Sequence, residues 1–183
     1  PAEIRTGDAG NAPFLAVCGD LECLPLASAS LALVWSSLAV QWCTPQAALA
    51  EISRVLAPGG LALVATLGPH TLRELREAFA AIDDHGHTID FHAPAVWSAA
   101  AADRGLRAEG VENVALQACA PDLRHLLRDI KAIGAATVDG ERRRRPLGLK
   151  AWARLEAHYE RYRRPDTLLP VTYDLILLAL RKP

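Results

Sequence analysis

Two short stretches of this sequence hold residues whose types and spacing can do chemistry. In Cys18-Gly19-Asp20-Leu21-Glu22-Cys23-Leu24-Pro25-Leu26 an apolar run ends in Gly-Asp, and an apolar residue then precedes a Leu-Pro-Leu turn. At the carboxyl end of a strand, the Asp20 carboxylate can accept the exocyclic amine of an adenine, while the backbone N–H of Leu21 meets a ring nitrogen. The competing reading of Asp20 is a loop cap. In residues 33–42 (LVWSSLAVQW) two small hydroxyl residues, Ser36 and Ser37, follow directly on an apolar run, with Gln41 and Trp42 just beyond. Small side chains there leave space for a ligand's reactive end, and Trp42 can wall the pocket. Alternatively the serines satisfy backbone groups and the tryptophan is core. His85, His87 and His92 lie with Asp83, Asp84 and Asp90 in one polar stretch, which reads as a solvated loop rather than a metal site. Cys18, Cys23, Cys43 and Cys119 show no CxxC spacing and read as free thiols of a reducing cytosol.

The elements that must position these residues follow from hydrophobic periodicity. FLAVCG (14–19), LALVWSS (31–37) and LALVATL (61–67) are short continuous apolar runs, the pattern of strands covered on both faces. Between the last two, Thr44 stands as N-cap and Pro45 as first helical residue. Leu49, Ile52 and Leu56 recur at helical spacing, and Pro58-Gly59-Gly60 stops the helix. Strand, helix, strand predicts a βαβ unit with parallel strands. Residues 71–82 predict a helix opened by a capping box from Thr71 to Glu74, with Leu72, Leu75, Phe79 and Ile82 on one face. A further helix over 94–104 ends at Gly105. Residues 111–119 alternate, with Val114, Leu116 and Ala118 facing one way, as in a strand nearer a sheet edge. From Pro121 an amphipathic helix sets Leu123, Leu126, Leu127, Ile130 and Ile133 against Arg124, Arg128 and Lys131. A Gly- and Arg-rich link (139–148), a second long helix (149–164) and a long apolar strand complete the chain. The expectation is an open α/β sheet, with a pair of helices over 121–168 inserted before the last strand. Ligands of such sheets bind at the carboxyl ends of the strands.

Composition narrows the class. The 183 residues are 51% apolar, enough for one domain with a core, which excludes disorder. No run of eighteen uncharged apolar residues exists, which excludes a membrane-spanning helix, and the start has no basic-then-apolar signal pattern. The net charge of −1 is split: residues 1–120 hold 6 Lys and Arg against 13 Asp and Glu, and residues 121–183 hold 14 against 8. The basic final third points to an anionic partner. The chain starts at Pro1, contains no methionine, and its first dozen residues look loop-like. It is therefore expected to have lost its beginning, about a hundred residues judged from the usual size of such a domain.

The order of GDLECLPL (19–26), LVWSSLAVQW (33–42) and EISRVLAPGGLALVATLG (51–68) resembles the motifs that follow the third, fourth and fifth strands of class I S-adenosylmethionine-dependent methyltransferases. The resemblance implies a Rossmann-like class I methyltransferase sheet whose N-terminal part is missing, so that residues 1–183 are the C-terminal two-thirds of one domain. Narrower features resemble the malonyl-acyl carrier protein O-methyltransferases of biotin synthesis: SSLAVQWC (36–43), TLGPHTLRELREAF (66–79), LLRDIKAIGA (126–135) and LPVTYDLI (169–176). That resemblance runs from about Phe14 to the end. It implies a cytoplasmic enzyme that esterifies the free carboxylate of malonyl-acyl carrier protein with the methyl group of S-adenosylmethionine. Asp20, Leu21, Ser36, Ser37 and Trp42 then bind the cofactor, the small serines leaving space for the sulfonium and its methyl group. The sequence departs from the family in lacking the glycine-rich loop after the first strand and the acidic residue after the second.

A carboxylate is ionised at neutral pH, so no general base is expected, and catalysis rests on positioning. Arg73, Arg76 and Arg128 are the candidates to orient the malonyl carboxylate. Acyl carrier proteins are strongly acidic. Arg124, Arg128, Lys131 and the run Arg142, Arg143, Arg144 and Arg145 are expected to dock the carrier, the 121–168 region serving as a lid over the substrate. Rival readings are a related methyltransferase acting on a quinone precursor or other small molecule, and a non-catalytic binding protein of this fold. A nucleic-acid module lacks aromatics interleaved with its basic run, and a nicotinamide dehydrogenase lacks its fingerprint loop.

Overall fold

The computed structural model describes residues 4–9, 12–83, 88–132 and 147–183. The chain divides into two compact units, one of Pro1–Thr66, His92–Glu112 and Ile176–Pro183, the other of Leu67–Phe91 and Asn113–Leu175.

In the first unit β1 (Ile4–Ala9) and β2 (Ala12–Val17) pair antiparallel, from Ile4↔Val17 to Ala9↔Ala12, as a two-stranded sheet of their own. Two sequence expectations are corrected here. The opening residues include a strand, and the apolar run at 14–19, expected as a strand covered on both faces, pairs among the described residues only in this separate two-stranded sheet. Strands joined by two residues find each other locally, whereas a parallel partner needs a long crossover. The signal was Gly10-Asn11, a hairpin dipeptide; those two residues lie outside the described ones. β2 stops at Val17, leaving Cys18 and Gly19 in the following loop.

β3 (Leu31–Ser37), α1 (Pro45–Val55) and β4 (Leu56–Leu67) form the expected βαβ unit, with β3 and β4 parallel from Leu33↔Leu61 to Ser37↔Ala65. Thr44 is the N-cap residue and Pro45 opens α1, but the helix ends at Val55, before the Pro-Gly-Gly. Lys182 Nζ closes that end by donating to the carbonyls of Ser53 and Leu56, both at 2.7 Å. The larger sheet has the order β3-β4-β6-β5, with β5 (Arg107–Ala120) at the edge as its alternation predicts, and β6 (Leu169–Arg181) inside it. Gly59 N–H donates to Lys182 O and Gly68 N–H to Asp174 O, so β6 runs antiparallel to β4.

Side chains alternate across these strands. Ala62, Val64, Ile176, Leu178 and Leu180 face inward to a core completed by Leu49 and Ile52 of α1 and by Trp97, Ala100 and Ala101 of α3 (Pro94–Asp103). The opposite set is open: Trp35 is 76% exposed, and Leu33, Leu63 and Leu177 are exposed with it. Double-sided cover, expected from the continuous apolar runs, is therefore not found on this face.

The second unit has its own core. Leu75, Ala78 and Phe79 of α2 (Arg73–Ala80), Leu123, Leu126 and Ile130 of α4 (Leu123–Ala132), and Leu155 and Tyr159 of α5 (Leu149–Tyr159) meet there with Leu169 and Val171. Of the predicted apolar faces of α2 and α4, Leu72, Leu75, Phe79, Leu123, Leu126 and Ile130 are buried and Ile82 and Leu127 partly so; Ile133 lies outside the described residues. The helix expected over 149–164 breaks at Glu160 into a short 3-10 turn, Glu160–Tyr162. The capping box is corrected too. Leu72, in the left-handed region at φ 56°, is the N-cap of α2, and neither Thr71 nor Glu74 caps the helix. Both turn to β6 instead: Asp174 N–H donates to Thr71 Oγ1 at 3.0 Å, and the Glu74 carboxylate accepts Thr172 N–H at 3.0 Å and the Thr172 hydroxyl. No described helix is long and apolar enough to cross a membrane.

Candidate functional site

The loop from Cys18 to Ser30 joins β2 to β3 and presents Asp20 and Leu21. Its first turn is tight. Cys23 N–H donates to Asp20 O at 3.1 Å, and a Cβ at Gly19 would sit 2.5 Å from Pro25 Cδ, so only glycine fits beneath the Leu-Pro-Leu segment. Asp20 is exposed; its Oδ1 accepts Glu22 N–H at 2.9 Å. That is the loop cap the sequence allowed, but it occupies one oxygen. Among the described residues Asp20 Oδ2 and the N–H of Leu21 have no hydrogen-bond partner, which leaves one acceptor and one donor available on adjacent residues. Glu22, which the sequence reading passed over, fixes the turn: its Oε1 accepts Thr44 N–H at 2.7 Å and the Thr44 hydroxyl at 3.1 Å. That bond draws Asp20 toward the segment after β3. Burial pushes the Cys43 thiol above its ordinary pKa, and the nearby Glu22 and Asp20 carboxylates add to the shift.

At the carboxyl end of β3, Ser36 and Ser37 point to opposite faces of the sheet. Ser36 is partly buried, and its Oγ is shut off from solvent without a hydrogen-bond partner among the described residues. Ser37 is exposed and, with Trp35, Leu63, Ala65, Glu112 and Leu177, lines a cavity of about 420 Å³ on the open face. The two serines therefore serve different spaces. Leu38 follows in the left-handed region at φ 51°, held by its N–H to Ala65 O at 2.9 Å and by Gln41 Nε2 on its own carbonyl at 2.6 Å. Such strain in a non-glycine residue collects at functional turns. Trp42 is 45% exposed in the short 3-10 turn Val40–Trp42, so its ring is available to a ligand and is not core.

The substrate-orienting candidates lie in the second unit. Arg73 is half exposed, with Nε 3.4 Å from Glu74 Oε1. The Arg76 guanidinium donates to Pro69 O, bracing the turn ahead of α2. Arg128 is exposed on α4 and forms no ion pair with another described residue. Arg124 lies 5.1 Å over the Trp152 ring and 4.0 Å from Glu156, and Lys131 is exposed on the same helix. Arg142 to Arg145, Asp84, His85 and His87 lie outside the described residues, and among the described residues no His, Cys, Asp and Glu group is arranged to hold a metal.

A methyltransferase-domain family matches residues 2–64. The chain is 46% identical to the malonyl-[acyl-carrier protein] O-methyltransferase of Dechloromonas aromatica, over 93% of this chain and 64% of that protein. It is 46% identical to the same-named protein of Laribacter hongkongensis, over 91% of this chain and 56% of that one. It is also 35% identical to the biotin biosynthesis bifunctional protein BioHC of Teredinibacter turnerae, over 90% of this chain and 29% of that one. The chain thus spans less than two-thirds of the length of these relatives. Among solved structures, a putative methyltransferase from Bacillus halodurans superposes with a TM-score of 0.57 at 15% identity, covering 90% of this chain and 76% of that one. This is a likeness of fold.

Proposed function

The chain is a homologue of the malonyl-[acyl-carrier protein] O-methyltransferases and has the class I methyltransferase fold, and on that premise we propose that its protein methylates the free carboxylate of malonyl-acyl carrier protein with S-adenosylmethionine. The product is the methyl ester that enters pimeloyl and biotin synthesis. The observation that carries this reading is the 46% identity across 170 residues with one such relative.

The residues present fit the cofactor. Asp20 Oδ2 and the Leu21 N–H offer the acceptor and donor that an adenine edge requires, and Trp42 offers an exposed ring in the connection that follows β3. Ser36 Oγ is a buried polar atom lacking a partner among the described residues, the kind of group that a bound ligand satisfies. S-adenosylmethionine supplies an electrophilic methyl group on a sulfonium. The malonyl carboxylate is ionised at neutral pH and needs no proton removed, so the protein's part is to orient the carboxylate and keep water away. Arg128, the candidate with no described ionic partner, is the residue best placed chemically to orient an anion; Arg73 and Arg76 already serve Glu74 and Pro69. Arg124, Arg128 and Lys131 on α4 form a basic face suited to an acidic carrier, and the arginines 142–145 extend the same charge along the sequence.

The test is methyl transfer from labelled S-adenosylmethionine to malonyl-acyl carrier protein, with a quinone precursor as the competing acceptor. Label appearing on the malonyl group in base-labile ester linkage is the expected result. Label transferred only to the quinone precursor, or no binding of S-adenosylmethionine in calorimetry, overturns the reading.

A further inference from the structure

The Arg54–Glu51 pair on α1 has the shape of a clamp on the loop that carries Asp20. Arg54 lies side-on to Glu51, with Nε 2.7 Å from Oε1 and Nη2 2.7 Å from Oε2. The remaining donors of the fork point into the loop: Nη2 to Leu24 O at 2.9 Å, Nη1 to Leu26 O at 2.8 Å and Nη1 to Ser28 Oγ at 3.3 Å. Every N–H of the guanidinium is thus used, in a planar arrangement that an ammonium cannot copy. Glu51 Oε2 accepts Leu24 N–H at 2.7 Å as well, so both backbone groups of Leu24 are held by one ion pair. Leu24 lies outside the regular strands, and the pair does for it what a neighbouring strand would do.

The far end of α1 holds the same loop, through Thr44 and Glu22. The loop is therefore splinted along one helix, at Glu22 by its N-terminal end and at Leu24, Leu26 and Ser28 by its last turn. Asp20 and Leu21 lie just outside the splinted stretch, joined to it by Cys23 N–H on Asp20 O and Glu22 N–H on Asp20 Oδ1. Slack at Leu24 reaches Asp20 and Leu21 through the neighbouring Cys23, whose N–H holds Asp20 O, while Glu22 stays tied to Thr44.

We infer that Arg54 and Glu51 are positioning residues for the adenine end of the cofactor, acting through the 20–28 loop and touching no ligand themselves. The inference rests on the cofactor reading above. It gives a physical role to Glu51 and Arg54 within the 51–68 motif.

The experiment, made in the full-length protein, compares wild type with Arg54→Gln, Arg54→Lys and Glu51→Gln, with Arg107→Gln, which breaks an exposed pair with Glu109, as control. Calorimetry with S-adenosylhomocysteine and amide hydrogen exchange over residues 20–28 are the two readouts. In Arg54→Gln and Arg54→Lys the expected results are about a tenfold to hundredfold weaker affinity, the scale of the hydrogen bonds to the adenine edge being lost, and faster exchange at Leu24. Turnover at saturating cofactor and the KM for the acyl carrier substrate should hold, and Arg107→Gln should match wild type. Faster exchange at Leu24 with wild-type affinity overturns the inference while leaving the cofactor reading intact. Failure of wild type to bind overturns the cofactor reading itself and the inference with it. If Arg54→Gln loses its helical circular dichroism, Glu51→Gln, which keeps the side chain's shape, decides the same comparison.

Discussion

Glu74 brings a carboxylate to a position only 2% exposed, where Thr172 donates both its backbone N–H and its hydroxyl to it and Arg73 stands 3.4 Å away. A buried charge is tolerated when its lone pairs are met in this way. Truncation to alanine leaves the Thr172 N–H and hydroxyl unpaired in the core, at a cost of about 1–3 kcal/mol. Glu74→Gln keeps an oxygen for the Thr172 N–H, and the rotating hydroxyl can accept from the new amide, so its loss should be clearly smaller. Urea denaturation of the two variants reads the difference; equal losses would show that the charge, not hydrogen-bond satisfaction, holds this site. The same residues mark what sequence can and cannot give. The Thr71 and Glu74 spacing is a sound capping pattern, yet both side chains bond to partners about a hundred positions away on β6. Local spacing rules carry no term for such partners. Asp20 can be proposed from its type and its place after an apolar run, whereas the bonds of Arg54 cannot be read locally, because its three loop partners are 26 to 30 residues distant.

At the scale of elements, α4 is the clearest case of a sequence pattern becoming surface chemistry. Leu123, Leu126 and Ile130 are buried, which turns Arg124, Arg128 and Lys131 outward. Arg124 is steadied by the Trp152 face and Glu156, while Arg128 and Lys131 are exposed and carry no ion pair to a described residue. If this face meets an acidic carrier, reversing Arg128 and Lys131 to glutamate should raise the KM for the malonyl carrier by at least about tenfold at low salt, since like charge across an interface costs several kcal/mol. The effect should shrink as ionic strength rises. A malonyl thioester without the carrier protein shows whether Arg128 also orients the carboxylate: an unchanged rate limits it to docking. Unchanged KM for the carrier would remove α4 from the interface. Helices and the β3–α1–β4 unit were readable because their periods are local and punctuated by Pro, Gly and caps. The β1–β2 pairing and the uncovered face of β3 and β4 were not read, because a continuous apolar run states that a strand is apolar on both sides without stating what lies against each.

Over the whole molecule charge is segregated, with 13 acidic against 6 basic residues before position 121 and 14 basic against 8 acidic after it. Acid acts on this distribution through specific carboxylates. The pKa of Glu51 is lowered chiefly by its hydrogen bonds from Arg54, that of Glu109 by Arg181 and then Arg107, and that of Glu160 by Arg163. Asp122 is lowered by the backbone N–H of His125 and then by its ring. A depressed pKa means that the folded chain binds fewer protons than the unfolded chain. The stabilisation is therefore complete above the unfolded value and is lost as pH falls through the folded one. Glu51 and Glu109 belong to the first unit and Asp122 and Glu160 to the second, so acid loosens contacts within each. Neutralising carboxylates also leaves the arginines unopposed, and the repulsion among them grows in the same pH range. Urea midpoints should thus be flat above about pH 5 and fall steadily below about pH 4, beneath the ordinary carboxylate values. In Arg54→Gln part of that acid slope should disappear, because Glu51 then titrates closer to its unfolded value. A midpoint that rises on acidification, or an unchanged slope in this variant, would mean that the Glu51–Arg54 pair adds no pH-dependent stability to the fold.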